Sequence, residues 1–168
     1  MKKGETMPIP NIHQPQILNI DETLRLRKFD GHYDFAFSWY QDEELVYLVD
    51  GVKRPYSRET LSNMYNYLDK HGELYFIEVL EEEWKPIGDV CFWKEDMPIV
   101  IGDAAYRGKE IGSRVIAALI ARGRELGYDR LEVNEIYEYN TPSRKCFENA
   151  GFRVLEQTEK GNRFYMEL

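Results

Sequence analysis

The segment Arg107-Gly108-Lys109-Glu110-Ile111-Gly112 combines residue types and spacing suited to holding an anion. It follows a short apolar run, residues 97–102, and opens a stretch of helical periodicity, residues 111–126. A strand feeding a helix through a glycine-containing turn leaves the first helical N–H groups without intrahelical acceptors. Those donors and the positive end of the helix dipole attract a phosphate. Gly112 removes a side chain where a phosphate would approach the backbone, and Arg107 and Lys109 add positive charge. Taken alone, the segment is equally an ordinary strand-to-helix turn, because short glycine patterns recur by chance. Spacing excludes two other phosphate loops. A Walker A loop places four residues between its first glycine and the Gly-Lys pair, then Ser or Thr; here five residues separate Gly102 from Gly108, and Glu110 follows Lys109. The Gly-x-Gly-x-x-Gly of a dinucleotide site is not present in this loop either.

The elements that must position this loop follow from hydrophobic periodicity. Residues 1–20 carry Pro8, Pro10 and Pro15 among polar residues, as an extended N-terminal arm would, and residues 21–168 form a single domain. Leu24-Arg25-Leu26-Arg27 alternates like a half-buried strand. Tyr33, Phe37 and Tyr40 recur at helical spacing within residues 30–40. Ser57 offers an N-cap for a helix to about Lys70, with Gly72 as a left-handed C-cap. Residues 74–80 and 87–93 make a hairpin across the polar turn 81–86. Ile111, Val115, Ile116, Leu119 and Ile120 form the apolar stripe of the helix after the loop, ended by Gly127. Residues 131–137 read as a strand, Thr141-Pro142 as cap and first turn of a short helix, and residues 152–168 as a terminal hairpin. The result is one α/β (α+β) domain with a mixed, largely antiparallel central sheet flanked by helices.

Composition narrows the class. The 168 residues are 43% hydrophobic and 31% charged, a globular mix. The 22 Lys and Arg against 30 Asp and Glu give a net charge of −8, which disfavours nucleic acid as a partner. Cys91 and Cys146 form no disulfide framework, and His13, His32 and His71 stand singly, so no metal is expected. No apolar run is long enough for a membrane span or a signal core, so a cytoplasmic protein is expected.

The loop resembles the signature Arg/Gln-x-x-Gly-x-Gly/Ala of the GNAT superfamily of N-acetyltransferases. A second motif of that family, Asn-x-x-Ala/Ser-x-x-x-Tyr/Phe-x-x-x-Gly-Phe, is matched by Asn140, Ser143, Phe147, Gly151 and Phe152. Leu24-Arg25-Leu26-Arg27, Trp39 and Asp42 resemble the branch with ribosomal-protein N-terminal and aminoglycoside acetyltransferases. The resemblance covers roughly residues 22–168 and implies splayed strands at the cofactor site and acetyl-CoA as cosubstrate. The implied cofactor contacts are the backbone of Ile99, Val100 and Ile101, the loop residues Arg107, Gly108, Lys109, Glu110, Ile111, Gly112 and Ser113, and Asn140. It also implies an amine acceptor, small-molecule or protein N-terminal, and a monomer or homodimer.

The chain departs from the family at two positions. Glu110 stands where the signature has its first glycine, which brings a carboxylate toward the phosphates. Phe147 stands where many members carry a tyrosine that protonates the departing thiolate. Tyr137, Tyr139, Cys146 or water would then supply that proton, with Tyr139 placed among the catalytic residues. A free lysine-like amine titrates near ~10.4 and needs a base. Glu135 matches where some members place theirs, and is equally readable as a solvated carboxylate beside Glu132 and Glu138. Asp89 is the reserve base. Trp39, Tyr40 and Tyr47 are candidates for an amine pocket through cation–π contact, or are core. An alternative to catalysis is a GNAT-fold module that holds acyl-CoA without turnover, a reading that Glu110 and Phe147 favour.

Overall fold

In the computed structural model, which describes residues 7–168, eight strands pair into two antiparallel groups. The first follows the spatial order β1 (Ile17–Asn19), β2 (Leu24–Lys28), β3 (Glu73–Leu80), β4 (Trp84–Phe92), β5 (Ile99–Ile101). The second places β8 (Gly161–Glu167) between β6 (Arg130–Tyr137) and β7 (Arg153–Gln157). Four helices complete the fold: α1 (Glu43–Asp50), α2 (Arg58–His71), α3 (Ile111–Glu125) and α4 (Thr141–Ala150).

β3 shows why the sheet is buried on both faces. Its near-continuous apolar run places Tyr75 and Ile77 in one core and Leu74 and Phe76 in another. The first core takes the stripe of α3, with Val115, Ile116 and Leu119 fully buried alongside Leu131 and Phe164. The second takes Leu45 and Val46 of α1 and Leu61, Tyr65 and Leu68 of α2. Two of the buried carboxylates are ion-paired, as a buried charge demands. Glu73 accepts from Nε and Nη2 of Arg122 at 3.0 and 2.8 Å, tying α3 to β3. Glu78 accepts from Arg25 and Arg27, each at 2.8 Å.

β5 and β6 share no ladder. The β4–β5 connection closes one end of the gap between them: Glu132 N–H donates to Lys94 O at 2.9 Å and Asn134 N–H to Asp96 Oδ1 at 3.0 Å. Between Val133 and Ile136, β6 bulges, its register with β8 slipping there.

Several elements differ from the sequence reading. Residues 7–20 are docked: Gln14 donates to Leu74 O at 3.0 Å, Ile9 joins a core, and residues 17–19 pair with β2. The first six residues of the expected arm lie outside the described residues. The helix expected over 30–40 is two single 3-10 turns, Asp34–Ala36 and Trp39–Gln41, because the aromatic spacing serves packing against Phe76 and Tyr65 rather than a continuous stripe. Helix α1 follows instead, capped by Asp42. Ser57 caps α2 as expected, but Gly72 is extended, and its missing side chain leaves room for Trp93 and Phe92 O, which a Cβ would meet at 2.5 and 2.7 Å. The cap of α4 is Asn140, one residue ahead of Thr141.

Candidate active site

The gap between β5 and β6 presents an unpaired strand edge. Cys91 N–H donates to Pro98 O at 3.0 Å and Gly102 N–H to Ile87 O at 2.8 Å, while Val100 sits opposite Asp89. Alternation along an antiparallel strand therefore turns the backbone groups of Ile99 and Ile101 toward the gap. The N-terminus of α3 lies just past this edge. Helices α1, α2 and α4 have side-chain caps from Asp42, Ser57 and Asn140, and α3 has none. The first residue of α3 to bond back is Arg114, to Glu110 O at 3.2 Å, which leaves the amides of Ile111, Gly112 and Ser113 facing outward. A Cβ on Gly108 would meet nothing within 4 Å, so the loop is open above its backbone.

Glu110 occupies the left-handed region, φ 62° and ψ 16°, which accounts for the family's glycine at this position. The guanidinium of Arg107 has partners other than a phosphate: Nε donates to Ile101 O at 3.0 Å, Nη2 to Gly102 O at 3.1 Å, and Nη1 pairs with Asp42 at 3.3 Å. Lys109 lies over the Tyr106 ring, 5.6 Å from its centroid. Glu110→Gly should tighten coenzyme A binding severalfold, most at low salt, by removing a like charge, while relief of the left-handed backbone should stabilise the fold itself. Calorimetric titration at two salt concentrations measures this, and weaker binding by the glycine variant would contradict it.

Helix α1 bridges the open end of the gap. Asp42 Oδ1 caps its first turn while Oδ2 holds Arg107 of the loop after β5. At the other end, Tyr139 Oη donates to Tyr47 O and Asn140 Nδ2 to Leu48 O, both at 3.2 Å. Asn140 Oδ1 accepts from Ser143 N–H, so both ends of its amide are engaged in holding α1 and α4. Tyr47 stacks on Tyr139 at 4.5 Å and Tyr139 on Tyr137 at 5.3 Å. Burial first, then Glu135 and Asp50, push the Tyr137 phenol up; Tyr139 is raised by burial, its tyrosine neighbours and the same two carboxylates. Glu135 lies on the β6 bulge, exposed, two residues before Tyr137.

Other candidates lie elsewhere. Trp39 is 7% exposed, its indole against Gly102, where a Cβ would come within 2.3 Å of the ring. Asp89 is buried in the second core, with the hydroxyls of Tyr40 and Tyr65 donating to Oδ2 at 2.7 and 2.8 Å. Neither faces the gap as a pocket residue would: Trp39 is core, and Asp89 is a buried acceptor of tyrosine protons rather than an accessible base. Cys146 packs near Ser113 Oγ at the start of α3, at 3.8 Å, and Phe147 is core against Phe152. At the C-terminal end of α1, Asp50 accepts from Tyr56 Oη at 2.5 Å, a contact the sequence reading did not anticipate. Gly51, at φ 78°, approaches Tyr139 so closely that a Cβ would sit 2.9 Å from Oη.

The family model for the GNAT acetyltransferases matches residues 33–152. The chain belongs to the GNAT acetyltransferase family. As a GNAT domain it superposes on an acetyltransferase of that family from Bacillus anthracis with a TM-score of 0.74 at 17% identity, covering 90% of this chain and 98% of that one. A ribosomal-protein α-N-acetyltransferase in complex with coenzyme A gives 0.69 at 16%, covering 90% and 98%. An aminoglycoside acetyltransferase in complex with coenzyme A gives 0.66 at 14%, covering 86% and 94%. Likeness at this identity establishes the GNAT fold. No curated protein matches the sequence.

Burial pushes Asp89 of this GNAT domain up to about 6, against the two tyrosine hydrogen bonds that lower it. Between the ordinary carboxylate range and that value, the folded protein keeps a proton the unfolded chain has lost, so stability falls as pH rises through the window. The rise from 3.8 to about 6 corresponds to about 3 kcal/mol. Urea unfolding at pH 4 and pH 7 should show this fall in the wild type and not in Asp89→Asn; equal slopes would contradict the assignment.

Proposed function

We propose that this chain transfers the acetyl group of acetyl-CoA to a primary amine by direct attack in a ternary complex. The observation that carries this reading is the juxtaposition of the open strand edge, the backbone of Ile99 and the Ile101 N–H beside the Ile101 carbonyl that Arg107 holds, with the uncapped N-terminus of α3. An extended pantetheine arm adds to such an edge as a strand does, and the pyrophosphate suits the outward amides of Ile111, Gly112 and Ser113. The relatives solved with coenzyme A bound support the same placement by their shared fold. Glu135 is the proposed base: it takes one proton of the ammonium, the neutral nitrogen attacks the thioester carbonyl, and as the intermediate collapses the carbon–sulfur bond breaks while the nitrogen loses its second proton to solvent, giving the amide. Backbone donors near the edge stabilise the developing oxyanion. Tyr139 or Tyr137 returns a proton to the thiolate. Tyr137 suits this better, because the Tyr139 hydroxyl is already committed to Tyr47 O. The cytoplasm, the source of acetyl-CoA in this reading, is the proposed location.

Acetyl-CoA at about 100 times its Kd should stabilise the fold by about 2.7 kcal/mol, raising Tm by roughly 5–10 °C for a domain of this size. No shift with either acetyl-CoA or CoA would overturn the reading.

A further inference from the structure

Arg107 opens the loop motif, yet its guanidinium is turned back on the strand that precedes it. Nε donates to Ile101 O at 3.0 Å and Nη2 to Gly102 O at 3.1 Å. Without Arg107, Ile101 O would be an open acceptor on the free edge of β5. Nη1 is held at 3.3 Å by Asp42 Oδ2. That carboxylate is itself fixed, because Oδ1 accepts from the amides of Glu44 and Leu45 at the start of α1. The far end of α1 is tied down separately, by Tyr139 and Asn140 donating to the carbonyls of Tyr47 and Leu48. The segment before α1 also presses on the strand exit: a Cβ on Gly102 would meet the Trp39 ring at 2.3 Å.

A planar guanidinium with its donors in a fixed fork serves these three acceptors at once, which a lysine ammonium on a flexible stem cannot do. With Ile101 O taken, the last group the edge offers is the Ile101 N–H. A chain added along β5 therefore leaves the strand there, just short of the amides of Ile111, Gly112 and Ser113. We propose that Asp42 and Arg107 are a positioning pair. Asp42 orients the guanidinium, and the guanidinium closes the edge at Ile101, which sets the register of the pantetheine arm relative to the pyrophosphate; Arg107 makes no phosphate contact. This rests on the acetyl-CoA reading above and deepens it. Both side chains of the pair are 38% exposed, and an exposed ion pair contributes little to stability, so its effect belongs to binding rather than to folding.

The test is calorimetric titration of the wild type, Asp42→Asn and Arg107→Lys with CoA, with a melting curve of each protein alone. Asparagine caps a helix as well as aspartate does, and lysine keeps the charge of Arg107. By charge alone, Asp42→Asn would tighten binding of the anionic cofactor and Arg107→Lys would leave it unchanged. The positioning pair predicts otherwise: each variant should raise the Kd about tenfold, the order of one charge-assisted hydrogen bond, with Tm within a few degrees of the wild type. The double variant should bind no more weakly than the weaker single one, because both changes remove one device. The second ligand is 3′-phospho-ADP, titrated directly or in competition with CoA, which carries the pyrophosphate without the arm. It has no register to lose and should bind all the proteins alike. Unchanged or tighter CoA binding by Asp42→Asn, wild-type affinity in Arg107→Lys, additive losses, or an equal loss for both ligands overturns the inference while leaving cofactor binding intact. Where Arg107→Lys does not fold, Asp42→Asn decides by the same sign. A wild type that binds neither CoA nor acetyl-CoA overturns the acetyl-CoA reading and this inference with it, so the two failures are distinguishable.

Discussion

Glu135→Gln should lower kcat about 100-fold at neutral pH, the ordinary contribution of a positioned general base, with the KM for acetyl-CoA nearly unchanged. Glu135 is exposed on the β6 bulge, and its charge contributes to the raised phenols of Tyr137 and Tyr139. The loss should shrink as pH approaches ~10, where the amine is already neutral and needs no base. Steady-state rates across pH measure this. A neutral-pH rate equal to that of the wild type would assign deprotonation to water, since Asp89 lies buried beneath Tyr40 and Tyr65.

Gly112→Asp should abolish the thermal shift with acetyl-CoA and raise its Kd by about 100-fold or more, because a carboxylate would stand within a few ångströms of the pyrophosphate. The fold itself should tolerate the change. A Cβ at Gly112 would lie 3.6 Å from Cys146 Sγ, an ordinary contact, and an acidic side chain in the first turn suits the helix dipole. The variant should therefore melt within a few degrees of the wild type without ligand. Retained affinity would move the pyrophosphate away from α3, and an unfolded variant would be separated from a non-binding one by its melting curve.

The β5–loop–α3 unit was legible because its determinants are local. A strand, a turn of fixed spacing and a helix with an apolar stripe are contiguous in the chain, and Ile111, Val115, Ile116, Leu119 and Ile120 are all buried as their period requires. The tyrosine stack between α1 and β6 was not, because it is assembled from residues about 90 apart. Nothing in the spacing of Tyr47 and Tyr139 shows that they stack, and the contact is enforced by Asn140 and Tyr139 reaching the carbonyls of Leu48 and Tyr47. Charge is ambiguous for a similar reason: the sequence offers Arg107 as a phosphate ligand, and in the fold its guanidinium also donates to Ile101 O and Gly102 O and pairs with Asp42. The role of Glu110 became clear only with its φ of 62°, since the sequence shows a missing glycine but not the conformation that wanted one. Trp39 and Asp89 illustrate the limit of residue type alone, as both have the right chemistry for an amine site and both are buried in packing.

The most direct test of the account is release of free CoA thiol from acetyl-CoA by the wild-type chain with N-terminal peptides, diamines and aminoglycosides. Mass spectrometry of each amine accompanies the thiol assay. The account predicts thiol release above the hydrolysis background with at least one amine, matched by an equal quantity of that amine heavier by one acetyl group. Binding of acetyl-CoA with no thiol released above background for any amine would contradict it, and would make the chain a holder of acyl-CoA rather than a transferase.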